Sequence, residues 1–223
     1  MHWQARAWSP AEPVPSPDQF LIRQNALTVA SPAFSLCVYC GSRPGVDPAF
    51  ASAAALVGQW IGEHGGQLVY GGGRNGLMGI VADTCLAAGG QVVGIIPKTM
   101  VEREWAHTGC TELIVVDTMH ERKRQMMERA DAFIALPGGI GTFEEFFEVW
   151  CWRHLGFHNK PVGLLNTNGY YDRLLQFLEQ PIEQGFFGGP QMGMVEVGTQ
   201  AAPLLKHLVE LAGFSASPHA ALI

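Results

Sequence analysis

Short apolar runs alternate with longer stretches of mixed polarity along most of this chain, starting at Phe34. The runs are rich in Val, Ile and Leu and predict strands that are buried on both faces. These predicted strands are Phe34–Tyr39, Gln67–Tyr70, Gln91–Ile96, Glu112–Val116, Ala132–Leu136 and Val162–Leu165, with a weaker seventh at Met194–Val197. Helices are predicted between most of them, over 47–64, 76–88, 118–130, 142–155, 170–185 and 199–212. The alternation predicts an α/β fold with a single doubly wound (Rossmann-like), mostly parallel sheet flanked by helices.

Three of the predicted helices begin with a recognisable capping signal. Asp47-Pro48 combines a favourable N-cap residue with proline at the first helical position. Thr118 and Thr142 are each followed three residues later by a glutamate, which is the spacing of a capping box. We therefore expect both threonines to be N-cap residues.

The two ends of the chain differ from its central part. Residues 1–33 contain Trp3, Trp8 and several prolines without sustained periodicity, so we expect a mobile N-terminal arm. This segment also lacks the apolar core of a secretory signal. Residues 34–215 are predicted to form one domain and 216–223 a tail, because 223 residues are enough for one well-buried α/β domain.

Composition narrows the function classes. The formal net charge of −6 gives no electrostatic case for binding nucleic acid or an anionic membrane, and no apolar run approaches the roughly 20 residues that span a bilayer. The five cysteines are too few for a disulfide scaffold, and we interpret Cys37 and Cys40 as reduced core residues rather than a redox pair or half a zinc site. The histidines form neither HxH nor HExxH. The sequence indicates a cytoplasmic protein without a metal site.

Glycine-rich turns follow three of the predicted strands, at 40–45, 70–79 and 137–142. Glycine lets backbone N–H groups approach an anion, and the helix after the third turn adds partial positive charge at its N-terminus. Because the carboxyl ends of parallel strands meet at one edge of a sheet, we expect a nucleotide-sized polar crevice there. The dinucleotide fingerprint does not fit, since the second predicted strand ends in Tyr70 and glycines instead of an acid.

Charged side chains flank this predicted crevice. Arg122 lies in the first or second turn of the helix after the fourth strand, where it is placed to clamp a phosphate or a carboxylate. Lys123 and Arg124 are equally compatible with a solvated basic face. Glu145 is interpreted as a capping-box residue, as a carboxylate that faces a reacting centre, or as both at different moments. Only the second role explains a carboxylate beside an anion-binding turn.

Three motifs occur in order along the central part of the chain. They are Gly71-Gly72-Gly73-x-x-Gly76-Leu77-Met78-Gly79, Met119-His120-x-Arg122-Lys123 and Pro137-Gly138-Gly139-x-Gly141-Thr142-x-x-Glu145. Together they resemble the LOG ("Lonely Guy") family of cytokinin riboside 5′-monophosphate phosphoribohydrolases, long mislabelled as lysine decarboxylases. The likeness runs from about residue 34 to residue 187. It implies hydrolysis of the N-glycosidic bond of an N6-modified AMP, releasing the free base and ribose 5-phosphate without a cofactor, in a protein that is usually a homodimer.

The resemblance also implies roles for individual residues. Arg122 and Glu145 match the catalytic positions of the family. The residues implied to bind the nucleoside monophosphate are Ser42, Gly72, Gly73, Met119, Lys123, Gly139, Gly141, Thr142 and Glu144. The first glycine turn departs from the family pattern, because it reads Gly-Ser-Arg-Pro-Gly where many members have a second serine.

Two other functions stay open at the level of sequence. A non-catalytic nucleotide or cofactor carrier on the same fold would use the glycine-rich turns but would not need Arg122 and Glu145 together. Lysine decarboxylation would need a lysine that binds pyridoxal phosphate, and none of Lys98, Lys123, Lys160 and Lys206 has convincing surroundings. A further group of residues, interpreted as core or dimer contacts rather than walls of a base pocket, is Trp105, Trp150 and Trp152.

Overall fold

The computed structural model describes residues 31–103 and 105–215. These ranges contain seven strands: β1 (Ser35–Tyr39), β2 (Gln67–Tyr70), β3 (Gln91–Pro97), β4 (Glu112–Val116), β5 (Ala132–Ala135), β6 (Val162–Leu165) and β7 (Val195–Gly198). They form one sheet in the order β4-β3-β2-β1-β5-β6-β7, and each neighbouring pair is parallel. The predicted doubly wound parallel sheet is confirmed, including its weak seventh strand.

Eight α-helices connect or flank these strands within the described ranges: α1 (Pro48–Glu63), α2 (Gly76–Ala87), α3 (Lys98–Val101), α4 (Met119–Arg129), α5 (Ile140–His154), α6 (Asp172–Glu183), α7 (Gly189–Met192) and α8 (Ala201–Leu211). A 3-10 turn spans Thr167–Gly169. Six of the helices match predicted helices to within two residues at each end. The other two, α3 and α7, have four residues each and are too short to show a helical period in the sequence.

The helices cover both faces of the sheet and create two hydrophobic cores. One core contains buried side chains of α1, α2 and α8, and the other contains buried side chains of α4, α5 and α6. Because side chains alternate along a strand, Cys40 packs in the first core and Cys37 in the second. Both thiols are free, and burial raises the pKa of each. The prediction that both are core residues is confirmed.

Burial differs between the central strands and the edges. β1 and β5 are buried along their whole length, as predicted. In the edge strands β4 and β7, Val115 is 51% exposed and Val197 is 44% exposed. The prediction that every strand is buried on both faces is therefore wrong for these two, because each has a neighbouring strand on one side only.

The direction of winding reverses between β1 and β5. From β1 the sheet grows outward to β4, and from β5 it grows outward to β7, so the connections that follow these two strands diverge. The turn after β1 contacts both other glycine-rich turns: Gly41 N donates to Pro137 O at 3.1 Å, and Leu77 N donates to Gly41 O at 3.0 Å. Ligands of such sheets bind at this switch point. The three turns thus meet where a ligand is expected.

Two of the three capping predictions are confirmed. Asp47 Oδ1 accepts a hydrogen bond from Ala49 N at 2.9 Å and caps α1, with Pro48 at its first position. Thr118 Oγ1 accepts from Glu121 N at 3.1 Å and caps α4. These side chains satisfy backbone donors that a helix cannot satisfy internally.

The third capping prediction is wrong. α5 begins at Ile140, its N-cap is Gly139, and no side chain caps it. Thr142 lies inside the first turn and is buried. The helix begins two residues earlier than the predicted start at 142, and Glu145 pairs with Arg122 of α4 instead of completing a capping box.

Two expectations concern the chain as a whole. Residues 1–30 and 216–223 lie outside the described residues, so the N-terminal arm and the C-terminal tail stay predictions. Within the described part of the chain, no helix is long and apolar enough to cross a membrane.

Candidate active site

A buried ion pair joins α4 and α5 beside the switch point. Arg122 Nη1 donates to Glu145 Oε1 at 2.8 Å, and both residues are less than one tenth exposed. Arg122 lies at the end of the first turn of α4, and Glu145 lies in the second turn of α5. The structure thus brings together the two predicted catalytic residues.

Backbone groups of the neighbouring strands hold Arg122 in place. Its Nε donates to the carbonyl oxygen of Ile95 in β3 at 3.1 Å. Gly71, directly after β2, leaves room for the guanidinium, since a Cβ at this position would lie 1.7 Å from Nη2. The Ile95 carbonyl has no sequence signature, whereas Gly71 stands in a glycine run that already marked the turn.

The electrostatics of this pair point to function more than to stability. Burial raises the pKa of Glu145, and the Arg122 guanidinium opposes that rise. A buried ion pair is weak evidence for stability, because removing two charges from water offsets most of their mutual attraction. A carboxylate kept away from solvent and oriented by an arginine is, in contrast, well suited to interact with a developing positive charge.

A second, more exposed cluster lies on the same two helices. Lys123 Nζ donates to Glu144 Oε1 and, at 2.9 Å, to Glu148 Oε1. Partial burial acts to lower the pKa of Lys123, but the hydrogen bonds and charges of the two glutamates outweigh it and raise the pKa. Arg124, in contrast, is 54% exposed and pairs with Glu128 at 2.8 Å along α4. Of these two cations, only Arg124 lies on a solvated basic face.

The turn after β5 leaves space for an anion. At Gly138 a Cβ would lie 2.1 Å from Thr142 Oγ1, so this glycine is required by close packing. At Gly139 and Gly141 a Cβ would meet nothing within 4 Å. Because no side chain caps α5, the first N–H groups of the helix have no partner within it. The open turn and the helix N-terminus form the arrangement that binds phosphate in other α/β proteins.

The remaining predicted binding residues have different surroundings. Ser42 and Met119 are solvent-exposed, at the turn after β1 and at the start of α4. Gly72, with a φ of 71°, accepts from His107 N at 2.9 Å, so its carbonyl already has a partner. Gly73 forms an isolated antiparallel bridge with Ala106. The segment around Ala106 therefore lies against the second glycine turn, which the sequence did not predict.

The three tryptophans differ in their burial. Trp150 is 7% exposed, and its Nε1 donates to Gln191 O at 3.0 Å, as expected for a core residue. Trp105 is 42% exposed and lies under the guanidinium of Arg103, 5.3 Å from Cζ to the ring centroid. Trp152 is half-buried in α5. The core interpretation is confirmed for Trp150 and does not describe Trp105.

The lysines favour the hydrolase prediction over a pyridoxal-phosphate enzyme. Lys123 is paired with two glutamates, and Lys160 Nζ donates to Met127 O at 2.6 Å, near the end of α4. Lys98 and Lys206 are exposed. In the ranges that the structure describes, no three His, Cys, Asp or Glu side chains are grouped so that they could hold a metal ion.

Comparison with known proteins agrees with the motifs. A family profile described as "Possible lysine decarboxylase" matches residues 78–208, more than half of the chain. A cytokinin riboside 5′-monophosphate phosphoribohydrolase from Rhodococcoides fascians is 52% identical over 153 residues, covering 68% of this chain and 77% of that relative. Another from Arabidopsis thaliana is 45% identical over 175 residues, covering 78% of this chain and 82% of the relative. The chain belongs to the LOG family. The resemblance drawn from three motifs is confirmed.

Solved structures support the LOG-family fold. The molybdenum cofactor binding protein from Rippkaea orientalis superposes with a TM-score of 0.60 at 20% identity, covering 79% of this chain and 96% of that one. The Moco carrier protein from Chlamydomonas reinhardtii gives a TM-score of 0.60 at 20% identity, covering 80% and 97%. At this level of identity the similarity concerns the fold alone.

Proposed function

We propose that this LOG-family protein hydrolyses the N-glycosidic bond of adenosine 5′-monophosphates, including those with an N6 substituent. The products are the free base and ribose 5-phosphate. The observation that carries this proposal is the buried Arg122–Glu145 pair beside the open, uncapped start of α5. The names of the relatives that share 45% to 52% of their residues with this chain support the same reaction.

The chemistry of the reaction explains the need for the buried carboxylate. Departure of the base builds positive charge on the anomeric carbon of the ribose, as in glycoside hydrolysis. We assign to Glu145 the stabilisation of this charge, together with the positioning of the attacking water or the ribose hydroxyls. Arg122 favours the ionised form of Glu145, opposing the effect of burial on its pKa, and orients it through a 2.8 Å hydrogen bond.

The phosphate supplies binding energy at a distance from the bond that breaks. We assign the 5′-phosphate to the turn formed by Gly139, Gly141 and Thr142, where the N–H groups at the start of α5 are free to donate. Binding energy gained there positions the sugar over Glu145. The remaining residues proposed to contact the nucleotide are Ser42, Gly72, Gly73, Met119, Lys123 and Glu144.

We also propose that the protein is a homodimer and acts in the cytoplasm. Two large apolar side chains of α5, the helix that carries Glu145, are exposed, namely Ile140 (87%) and Phe147 (37%). Their spacing along the helix places them on the same side of it, and a second copy packed there would bury them. The five thiols are all free, which suits a reducing compartment. Light scattering during size-exclusion chromatography tests the dimer, and a monomer at assay concentration would contradict it.

Chromatography of released bases tests the reaction. Purified protein is incubated with AMP and, separately, with isopentenyladenosine 5′-monophosphate, and the unphosphorylated ribosides serve as controls. The Glu145→Gln variant keeps the size of the side chain and one accepting oxygen but removes its charge. We expect base release from the monophosphates alone, and its loss in the variant with nucleotide binding retained.

The other possible outcomes of this experiment have distinct meanings. Binding of both monophosphates without base release would favour a non-catalytic carrier on this fold. Full activity of Glu145→Gln would remove this residue from the mechanism. The ratio of the two rates measures whether the pocket prefers a prenylated adenine to adenine itself.

A further inference from the structure

Two neighbouring tyrosines hold two carbonyl groups, two residues apart, in the segment that precedes α5. Tyr170 Oη donates to Gly138 O at 2.5 Å, and Tyr171 Oη donates to Leu136 O at 2.6 Å. Both tyrosines follow the 3-10 turn after β6, the strand next to β5. The turn that we assign to the phosphate is therefore fixed from the outside by side chains of another connection.

The two tyrosines are themselves held firmly. Tyr171 is 1% exposed, its backbone N–H donates to Asn166 Oδ1 at 2.7 Å, and burial raises the pKa of its hydroxyl, which stays a donor. The Tyr170 ring meets the Phe50 ring edge-on at 5.4 Å and the Tyr171 ring edge-on at 4.8 Å. Such contacts restrict the Tyr170 ring and keep its hydroxyl at Gly138.

A hydrogen bond that holds a carbonyl group also fixes the direction of the N–H group in the same peptide. No peptide bond in the described ranges is cis. In a planar trans peptide the carbonyl and the next N–H point in opposite directions. By holding the carbonyl of Gly138, Tyr170 fixes the N–H of Gly139 on the other side of that peptide. Gly139 is the N-cap of α5, and its surroundings are open.

We propose that Tyr170 is a positioning residue of the phosphate-binding turn, which orients the Gly139 N–H towards the 5′-phosphate by holding the Gly138 carbonyl. The inference rests on the proposed function for the identity of the ligand. It assigns Tyr170 no contact with the substrate, because its hydroxyl is already used on the protein backbone.

Tyr171 supplies a matched control. Its hydroxyl makes the same kind of bond two residues earlier, but the peptide after Leu136 leads to Pro137, which has no N–H to orient. Tyr171→Phe therefore removes a comparable hydrogen bond from the same turn without misdirecting a donor. We expect Tyr171→Phe to lower the Tm, because it leaves a buried carbonyl without its partner.

The experiment compares ligand binding and kinetics in the intact protein. Isothermal calorimetry measures the Kd of ribose 5-phosphate for wild type, Tyr170→Phe and Tyr171→Phe. We expect Tyr170→Phe to weaken binding by about fivefold, the size of one net hydrogen bond. KM for AMP should rise by a similar factor with kcat nearly unchanged, and the inhibition constant of free adenine should not change. Tyr171→Phe should bind ribose 5-phosphate like wild type.

Three results would overturn the inference. Tyr170→Phe could bind ribose 5-phosphate as tightly as wild type, both variants could lose affinity equally, or wild type could bind no ribose 5-phosphate. The first removes the role of Tyr170, the second indicates general loosening of the turn, and the third removes the phosphate site itself. Absence of base release with ribose 5-phosphate binding intact would instead count against the proposed reaction, and the comparison of Kd values would still decide the role of Tyr170.

Discussion

The helices α1 and α5 follow β1 and β5, the two neighbouring strands at the switch point, but their first turns are built differently. At α1, Asp47 accepts a hydrogen bond from Ala49 N, and Pro48 occupies a position where no N–H is needed. At α5, Gly139 stands at the N-cap, and no side chain accepts from the helix. One start is closed by the chain itself, and the other is left open.

The difference shows how a fold separates stability from ligand binding. A capping carboxylate occupies the place where a phosphate would accept the same N–H groups, so a helix start cannot serve both purposes well. The protein caps α1 and leaves the start of α5, where we propose that the phosphate binds, without a side-chain cap. The carboxylate on α5, Glu145, lies in its second turn, where Arg122 balances its charge. The following changes test whether this division of labour holds.

We expect the largest loss of kcat from a change that displaces Arg122, because Arg122 lies outside α5 and orients Glu145 of that helix. Gly71→Ala would place a methyl group 1.7 Å from the present position of Arg122 Nη2, so the guanidinium must move. We expect kcat to fall by about 10²- to 10³-fold, the usual size of losing one preorganised group. Steady-state kinetics with AMP measures this loss.

Gly189→Ala is the control for Gly71→Ala. A methyl group at position 189 would meet nothing within 4 Å. This variant should keep the wild-type kcat. If Gly71→Ala were equally active, α5 would not need Arg122 in its present position.

The next change closes the open helix start. Gly139→Asp introduces a capping carboxylate where the backbone is extended and a Cβ has room. We expect KM for AMP to rise by tenfold or more, roughly the effect of placing a like charge beside the phosphate, while the Tm rises or stays the same. Gly139→Asn supplies a neutral cap and separates the effect of charge from that of occupancy. An unchanged KM in the aspartate variant would mean that the phosphate binds elsewhere.

On acidification, Glu145 of α5 is expected to lose its charge before Asp47, the cap of α1, loses its own. Burial raises the pKa of Glu145, so its carboxylate is lost while the pH is still above the range of an exposed glutamate. The Ala49 N–H, with help from Asn168, lowers the pKa of Asp47, so this cap stabilises the folded state until the pH falls through that lower value. We expect an acidic interval in which the protein is folded but inactive. The pH profiles of kcat at saturating AMP and of Tm check this, and a parallel decline would contradict it.

The smallest effect is expected at the closed start. Asp47→Ala removes the cap of α1 and should lower the Tm slightly without changing kcat. Asp47→Asn keeps an accepting oxygen and should restore most of the Tm. Thermal unfolding and AMP kinetics measured on the same preparations show whether stability and turnover are separable here. A kcat that fell together with the Tm would show that they are not.

Much of the fold could be predicted because its strands are short, apolar and regularly spaced. Even the weak run near Val195 forms a strand. The errors have physical causes: α3 and α7 are shorter than the window in which helical periodicity can be recognised, and Val115 and Val197 are exposed because strand order, which the apolar pattern does not specify, places them at the edges.

For the candidate site, the sequence predicts that Arg122 and Glu145 come together but not the backbone contacts around them. Arg122 and Glu145 follow strand ends, so topology alone brings them to one edge of the sheet. The Ile95 carbonyl that holds Arg122 could not be found, because every residue carries a carbonyl group. The prediction that Thr142 is an N-cap is wrong because its spacing from Glu145 is the same in two arrangements. One is a capping box, and the other, which the structure shows, is a buried threonine inside the helix followed by a glutamate that binds an arginine. Tyr170 and Tyr171 lie within the stretch that resembles the family, but their hydrogen bonds to the turn before α5 depend on a contact between two connections, which the sequence does not specify.

The strand order has a consequence for how this chain is made. β1 lies between β2 and β5, so one side of it is paired with residues 67–69 and the other with residues 132–135. During synthesis the first side can pair soon after β1 has been made. The second side stays unpaired until residues 132–135, nearly a hundred positions after β1, have emerged from the ribosome. Unpaired strand edges favour aggregation. The nascent chain therefore passes through a period in which its central strand has one unpaired edge.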